Sequence, residues 1–587
     1  MEFDKIVYAI ADNIISGLGA TTAENTDKVL AEKTGIGPVD DKSLYPEPFP
    51  AQRIDDRKLT TSTAYQQAKA KGMHRLEQLM VASASEALAR TPIDVEADDV
   101  IFIFSSTKGN IRLLDGAKGK VPNDAFLDQM AKRVSLFFGA KNDPLVISNA
   151  CISGVLAQVV AMRLLKSGSY TTAIIIGGDE LTEFVISGFE SFKSVSANPC
   201  KPYDAQRDGL SMGEGVATLI VSTNAALAGE HPIMLAGGAS SNDANHISGP
   251  SRTGDGLYFS MRNAMAEAGA NASEIDLIDA HGTATPYNDE MESKAIGLAG
   301  LNKAPLVSLK GYFGHTLGAS GLLETIICLE CMRRGIRPRT LNFEQLGVPV
   351  PVNVSTKTEP AQLRTVLKTA SGFGGCNAAV VISSEKRGKD YTATTETKAT
   401  ATCRISNQKV QLNGTTVYDG TGDADYGQFI RNAFKAIAQP YMKFPKMDDQ
   451  CKLALTATEY LLKDHGTDDC GEEDVALLLA CNASSLDTDL RHQEVIDIKD
   501  PYMPSPAIFV YTLANIMEGE ICIRHKMKGE NLCLITSGKS ESSAFLQKYA
   551  NLLLAEGRAK KCLIGYADYL QGKYEAEITL IEKYNKN

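Results

Sequence analysis

"LVISNACISGVLAQVVAMRLLKSGSYTTAIIIGG" (145–178) sets a short apolar strand, a cysteine among small residues, a long apolar helix and a second apolar strand in direct succession. Strands that are apolar at every position, separated by a helix, are buried on both faces and belong to a mostly parallel sheet. Outward from this stretch the same grammar recurs in "DVIFIFSS", "VATLIVS", "DLIDAHG", "APLVSLKG" and "AAVVISS", with helical patterns such as "MHRLEQLMVASASEALART" and "LLETIICLECMRR" between them. The chain is an α/β protein with helices covering both sheet faces.

The tail repeats the opening pattern. "LCLITSGKSESSAFLQKYANLLLAEGRAKKCLIGY" (532–566) has the same strand, small residues, helix and strand, and "GEEDVALLLAC" (471–481) matches "EADDVIFIFSS" (96–106). At an offset of 388, Lys539 falls where Cys151 stands. The tail therefore reads as a copy of the first half without its cysteine.

The 587 residues exceed one core and predict several units. The expected boundaries are 1–245, 246–385, a polar threonine-rich linker at 386–402, and 403–587, the last opening with a hairpin that turns at Asn413–Gly414. A net charge of −11 argues against nucleic acid as a partner. No apolar run reaches the roughly 18 residues of a membrane span, and the acidic start is unlike a secretion signal. The expected location is the cytoplasm, where twelve cysteines without framework spacing stay reduced. Cys328 and Cys331 form a CxxC inside an apolar helix and read as core.

Cys151, between a strand and a helix, would sit at a helix N-terminus, where dipole and free N–H groups lower a thiol's pKa. A lone cysteine of this kind is more often inert, so partners decide the matter. His281 in "LIDAHGTATPYNDEMES" and His315 in "VSLKGYFGHTLGASGLLE" both follow apolar strands and have small neighbours, and Lys310 closes the second strand. His465, His492 and His525 of the tail read as surface residues.

Five motifs, "NACISG", "CKPYDAQRDGLSMGEGVATLIV" (200–221), "AHGTATPYNDEMES" (280–293), "LKGYFGHTLGASG" (309–321) and "SGFGGCNAAVVIS" (371–383), give the chain its resemblance to the β-ketoacyl-acyl carrier protein synthases, the condensing branch of the thiolase superfamily. The resemblance covers about residues 1–385 and implies a thiolase-like fold, a duplicated α-β-α-β-α core, with the tail as a third half-domain. It also implies decarboxylative Claisen condensation with malonyl-acyl carrier protein, in fatty-acid or specialised polyketide synthesis. Cys151, His281 and His315 match the Cys–His–His set of elongating members. By resemblance Cys151 is the nucleophile, the two histidines stabilise the enolate, and Lys310 orients His315 or pairs with Glu324. Thr283 and Thr285 would contact the pantetheine arm. Phe373 would be the gate beside the nucleophile and, with Cys151, would supply oxyanion-hole N–H groups. Ser371 and Ala284 depart from the family's usual phenylalanine and glycine. No bound cofactor is implied, since substrates arrive on the phosphopantetheine of an acyl carrier protein. The implied assembly is a homodimer, or a heterodimer with a related synthase. Arg333, Arg334, Arg337 and Arg339, or Arg53, Arg57 and Lys58, are candidate docking cations for the acidic carrier. A thiolase acting on coenzyme A esters is disfavoured by His315 in place of a second cysteine. A non-catalytic, chain-length-shaping partner of another synthase is the alternative, disfavoured by the intact Cys151, His281, His315 and Lys310.

Overall fold

The computed structural model of the chain describes residues 5–389, 391, 395–467, 469–499 and 503–584. Fifteen of the described strands form three five-stranded blocks, which further pairings join into one continuous sheet. The first holds β1 (Val7–Ile15), β2 (Val100–Ser105), β3 (Leu145–Ile147), β4 (Thr172–Asp179) and β5 (Gly215–Ser222). The second holds β6 (Met234–Asn242), β7 (Leu277–Asp279), β8 (Pro305–Val307), β9 (Thr365–Gly372) and β10 (Cys376–Ser383). The third holds β11 (Thr397–Ser406), β12 (Val475–Cys481), β13 (Asn531–Ile535), β14 (Lys561–Leu570) and β15 (Lys573–Lys583).

All three share one strand order. In the first it is β3-β2-β4-β5-β1, with β3, β2 and β4 parallel and the last two junctions antiparallel. β8-β7-β9-β10-β6 and β13-β12-β14-β15-β11 repeat it with the same directions. The expected duplicated layers are present, and the tail has the topology of one more unit.

Period-2 alternation explains the layering. Val100, Phe102 and Phe104 enter one core, Ile101 and Ile103 the other. In β12 Leu477 and Leu479 join the first core, and Ala476 and Leu478 the second. Each core thus runs without a break from the head (5–389) into the tail. Between the head's sheets lie α2 (Ser153–Lys166), buried at all fourteen positions, and α5 (Ser320–Arg334). The tail's corresponding helix, α9 (Lys539–Ala555), turns Glu541, Ser543 and Lys548 to solvent and so needs no second half against it.

Head and tail are stitched beside Cys151. Ile147 and Val146 of β3 pair antiparallel with Leu534 and Ile535 of β13. The Cys533 N–H donates to Asn149 Oδ1 at 2.7 Å, and the Ser148 N–H to the Cys533 carbonyl at 3.2 Å. Arg163, on α2 with 0 % of its side chain exposed, donates twice to Glu530, at 2.5 and 2.6 Å, and once to Tyr549 Oη at 2.6 Å. A buried guanidinium survives only when paired and hydrogen-bonded in this way.

Four expectations change. The boundary between the first two units lies between Ser222 and Met234, upstream of residue 245, because β6 pairs with β10. The stretch 386–402 is only partly a linker: β11 begins at Thr397, and Arg387 and Tyr391 are tied to Glu274 and Glu267 of the head. Alternation hidden among the threonines makes that strand. The tail's hairpin is a three-stranded meander that turns at Asn407–Gln408 as well as at Asn413–Gly414. His492, on α7 (Leu486–Asp497), is buried against Phe184 of the head, with ring centroids 4.6 Å apart. Burial holds its pKa down at about 4.

Replacing Glu530 by alanine leaves Arg163 buried and unpaired, which should cost about 3–5 kcal/mol in urea unfolding. The apolar pair Arg163→Met with Glu530→Leu should recover most of that loss. A cost under about 1 kcal/mol for Glu530→Ala would mean that the pair does not hold the junction.

Candidate active site

The nucleophile candidate is set by strain and by small residues. β3 ends at Ile147, Ala150 takes a left-handed φ of 46°, and Cys151 lies in a single 3₁₀ turn before α2 starts at Ser153. A non-glycine residue in that region costs about 1 kcal/mol or more. Ser153 offsets the cost by receiving the Asn149 N–H at 2.8 Å and donating to the Ala150 carbonyl at 2.6 Å. Gly154 is required because a Cβ there would meet the Leu322 nitrogen of α5 at 2.7 Å.

His315 Nε2 lies 2.9 Å from Cys151 Sγ, and the rings of His281 and His315 stand edge to face with centroids 5.2 Å apart. The sulfur and one nitrogen of each histidine are all within 4.8 Å of one another. Each histidine is fixed through its backbone. Glu292 receives the N–H groups of His281 at 2.8 Å and Gly282 at 2.7 Å. The His315 N–H donates to the Ser211 carbonyl at 2.7 Å, where Gly314 and Gly213 let two chain segments approach within contact of backbone.

Lys310 begins a four-residue helix, Lys310–Phe313, three residues beyond β8 and not at the strand's end as expected. Its Nζ meets Glu324 Oε1 at 2.5 Å, and Lys368 binds the other oxygen of that carboxylate and Asp279 at 3.1 Å. The expected pairing of Lys310 with Glu324 is therefore present. Burial, with the Lys310 charge behind it, holds His315 down at about 3 and His281 well below the usual imidazole range. Both rings are neutral near pH 7.

Cys151 does not follow the expectation of a lowered pKa. Burial pushes its thiol up to about 12, with Lys310 acting in the opposite sense. Loss of water is the larger effect here, and the Lys310 charge that opposes it is itself paired with Glu324. The site rests as a thiol against a neutral imidazole.

A cavity of about 270 Å³ leads to these groups, lined by Cys151, His281, His315, Thr283, Thr285 and Phe373, among others. Thr283 and Thr285 share a hydroxyl–hydroxyl bond of 2.9 Å. Ser371 lines the cavity and donates to Asn377 Oδ1 at 2.7 Å. Ala284 keeps a φ of 63°, the conformation for which glycine is preferred. Phe373 sits against Phe192 and Phe189, with centroids 5.4 and 6.0 Å away. A smaller space of about 20 Å³ lies behind Cys151 and is walled by Phe189 and Phe373 of the head and Phe509 and Leu513 of the tail.

Sequence reading missed Glu292, Lys368, Asp179 and these tail residues. Asp179 receives the Thr107, Lys108 and Gly318 N–H groups, which ties β4 to the turn after His315. Glu292 had one usable signal, its place three residues after Asp289 on the helix that follows His281. The candidate docking arginines are each matched: Arg333 by Asp12, Arg334 by Asp27, Arg337 by Glu359 and Arg339 by Glu32. Arg53 and Arg57 are paired with Asp41 and Asp55.

The family model for the N-terminal domain of β-ketoacyl synthases matches residues 7–226 and 378–573, and that for their C-terminal domain matches 233–344. A mitochondrial 3-oxoacyl-acyl-carrier-protein synthase, so named, of Schizosaccharomyces pombe is 30% identical over 358 residues, 54% of this chain and 82% of that protein. The 3-oxoacyl-acyl-carrier-protein synthase 2 of Coxiella burnetii is 30% identical over 278 residues, 44% of this chain and 66% of that one. Among solved structures, PfaC, a keto synthase–chain length factor, superposes with a TM-score of 0.75 at 16% identity, covering 99% of this chain and 78% of that one. At that identity the likeness is one of fold.

Alkylation of Cys151 by iodoacetamide should keep rising about tenfold per pH unit from pH 7 to pH 10, because only the thiolate reacts. A rate that levels off below pH 8 would show that the helix N-terminus outweighs burial.

Proposed function

The chain belongs to the β-ketoacyl synthase family, and on that premise we propose that it condenses a Cys151-bound acyl group with a malonyl thioester on an acyl carrier protein. The observation that carries this reading is the convergence of Cys151 Sγ, His281 and His315 at the end of one cavity, with His315 Nε2 2.9 Å from the sulfur. In the first half-reaction His315 takes the thiol proton as sulfur attacks the incoming thioester, and that proton leaves on the departing pantetheine thiol. The N–H groups of Cys151 and Phe373 serve the tetrahedral oxyanion. In support, Gly372 lies so close that a Cβ there would stand 3.1 Å from the Cys151 nitrogen.

In the second half-reaction the malonyl group loses CO₂. The neutral imidazoles of His281 and His315 each have one N–H to give the enolate oxygen, that of His315 once its proton has moved to Nε2. The enolate carbon attacks the acyl-cysteine, breaking its C–S bond and expelling the Cys151 thiolate, which is then reprotonated. Neutrality matters, since a charged imidazolium would cost more to bury and would protonate the enolate. Lys310 and Glu324 hold the charge balance beneath the histidines. Thr283 and Thr285 flank the path of the pantetheine arm.

The tail, on this reading, is a silent half that stands where a synthase partner would. Its support is the shared strand order, the pairing of β13 with β3, and Lys539 at the head of α9, held by Glu575 at 2.8 Å and Glu577 at 2.9 Å. The non-catalytic, acyl-shaping role considered for the whole chain suits this segment. Phe509 presses on the head at Gly188, where a Cβ would meet its ring at 2.1 Å. With Leu513 it limits the space behind Cys151 to short acyl groups. None of the described helices is long and apolar enough to cross a membrane.

Intact-protein mass after incubation with acyl-carrier proteins should rise by one short acyl group, and should not rise in Cys151→Ala. His281→Ala and His315→Ala should each slow malonyl decarboxylation about 10²–10³-fold. No loading from any acyl carrier would overturn the enzymatic reading. Phe509→Ala should raise loading of an eight-carbon over a two-carbon acyl group by about tenfold or more; an unchanged ratio would remove Phe509 from chain-length choice.

A further inference from the structure

Asn515 stands immediately before α8 (Ile516–His525), where an asparagine ordinarily turns its side-chain oxygen back to cap the helix. Here it does not. It makes no cap bond, its Oδ1 has no partner, and the residue is only 2 % exposed. The side chain instead crosses from tail to head, and Nδ2 donates to the Phe373 carbonyl at 2.8 Å. An unsatisfied buried oxygen and an uncapped helix are both unfavourable, so the crossing contact is the feature that the local geometry serves.

The surroundings fit that purpose. Gly374 has a φ of 89°, and a Cβ on it would lie 2.6 Å from Asn515 Nδ2. Gly519, one turn into α8, has no room for a Cβ, which would meet the Gly374 carbonyl at 2.8 Å. Two glycines thus let the helix lie on the loop. The rest of that loop is fastened to the head: Asn242 Nδ2 donates to the Gly374 carbonyl at 2.9 Å, the Gly374 N–H to Ile247 at 2.6 Å, and the Asp243 N–H to Gly375 at 2.7 Å. At the Phe373 carbonyl the head offers only the Cys376 thiol, a weak donor at 3.3 Å. The tail supplies the strong donor at the peptide that carries the ring beside Cys151.

We propose that Asn515 is a positioning residue for acyl transfer: by holding the Phe373–Gly374 peptide on one side of the Phe373 Cα, the tail restricts how the adjoining Gly372–Phe373 peptide can turn, and hence the direction of the Phe373 N–H toward the oxyanion formed at Cys151. This rests on the condensing reading above. The tail's part in catalysis would then be direct positioning as well as shaping of the acyl space.

Asn515→Asp keeps the volume and removes the donor, setting an acceptor against the Phe373 carbonyl; Asn515→Ser is shorter and retains a hydroxyl donor. Single-turnover acylation of Cys151 from a short acyl-carrier protein should fall about 100-fold in Asn515→Asp, with little change in KM for the donor and partial recovery in Asn515→Ser. Alkylation of Cys151 by iodoacetamide needs no oxyanion hole and should stay within about twofold of the wild type. Acylation and alkylation falling together would mean general damage to the site, and acylation unchanged in Asn515→Asp would mean that the contact is idle; either overturns the proposal. A wild type that accepts no acyl group, whatever the variants do, overturns the condensing reading and this inference with it.

Discussion

β3 is the constraint on which the rest depends. It is only three residues long, it aims Cys151, and in the head alone it would be an edge strand with unpaired backbone groups. Its open side is closed by β13 of the tail, and the helix that follows it carries Arg163, whose charge is paired with Glu530 and supported by Tyr549. A chain in which the nucleophile strand and the nucleophile helix both look to the tail for hydrogen bonds cannot treat that tail as an appendage. Phe509, Leu513 and Asn515 then follow as side chains that the junction brings to the back of the site.

The tail shares with the head's first sheet the strand order that buries two faces and offers β13 as a pairing edge. It differs in Lys539, which two glutamates neutralise at the start of α9, and in the polar outer face of that helix. Lys108 makes a further bond across the boundary, to Asp489 at 2.9 Å.

Much of this was legible in the residues. Apolar strands and glycine-rich turns announced the α/β layers, and Cys151, His281 and His315, more than a hundred residues apart in part, were marked by strand ends and small neighbours. Their meeting within 4.8 Å required the fold. Of the residues that position them, Glu324 could be named as a partner for Lys310, but most were not legible. Glu292 looks much like any helix-surface acid, and Arg163 like the basic end of a helix, because pairing between distant elements leaves no local pattern. His492 misled for the same reason: its polar neighbours along the chain say nothing of Phe184, which arrives from the head. The thiol's raised pKa was hidden as well, since helix-terminal stabilisation can be read from a strand–helix junction and burial cannot.

The central claim, that the tail completes the nucleophile site within one folded body, is tested most directly by cutting the chain between head and tail while leaving both in solution. A protease site introduced between Lys389 and Thr397 would allow the full chain to fold first and be cleaved afterwards. The account predicts that the two pieces remain together through size-exclusion chromatography and that Cys151 is acylated at the uncleaved rate. Pieces that separate without denaturant, with the head still acylated at that rate, would contradict it.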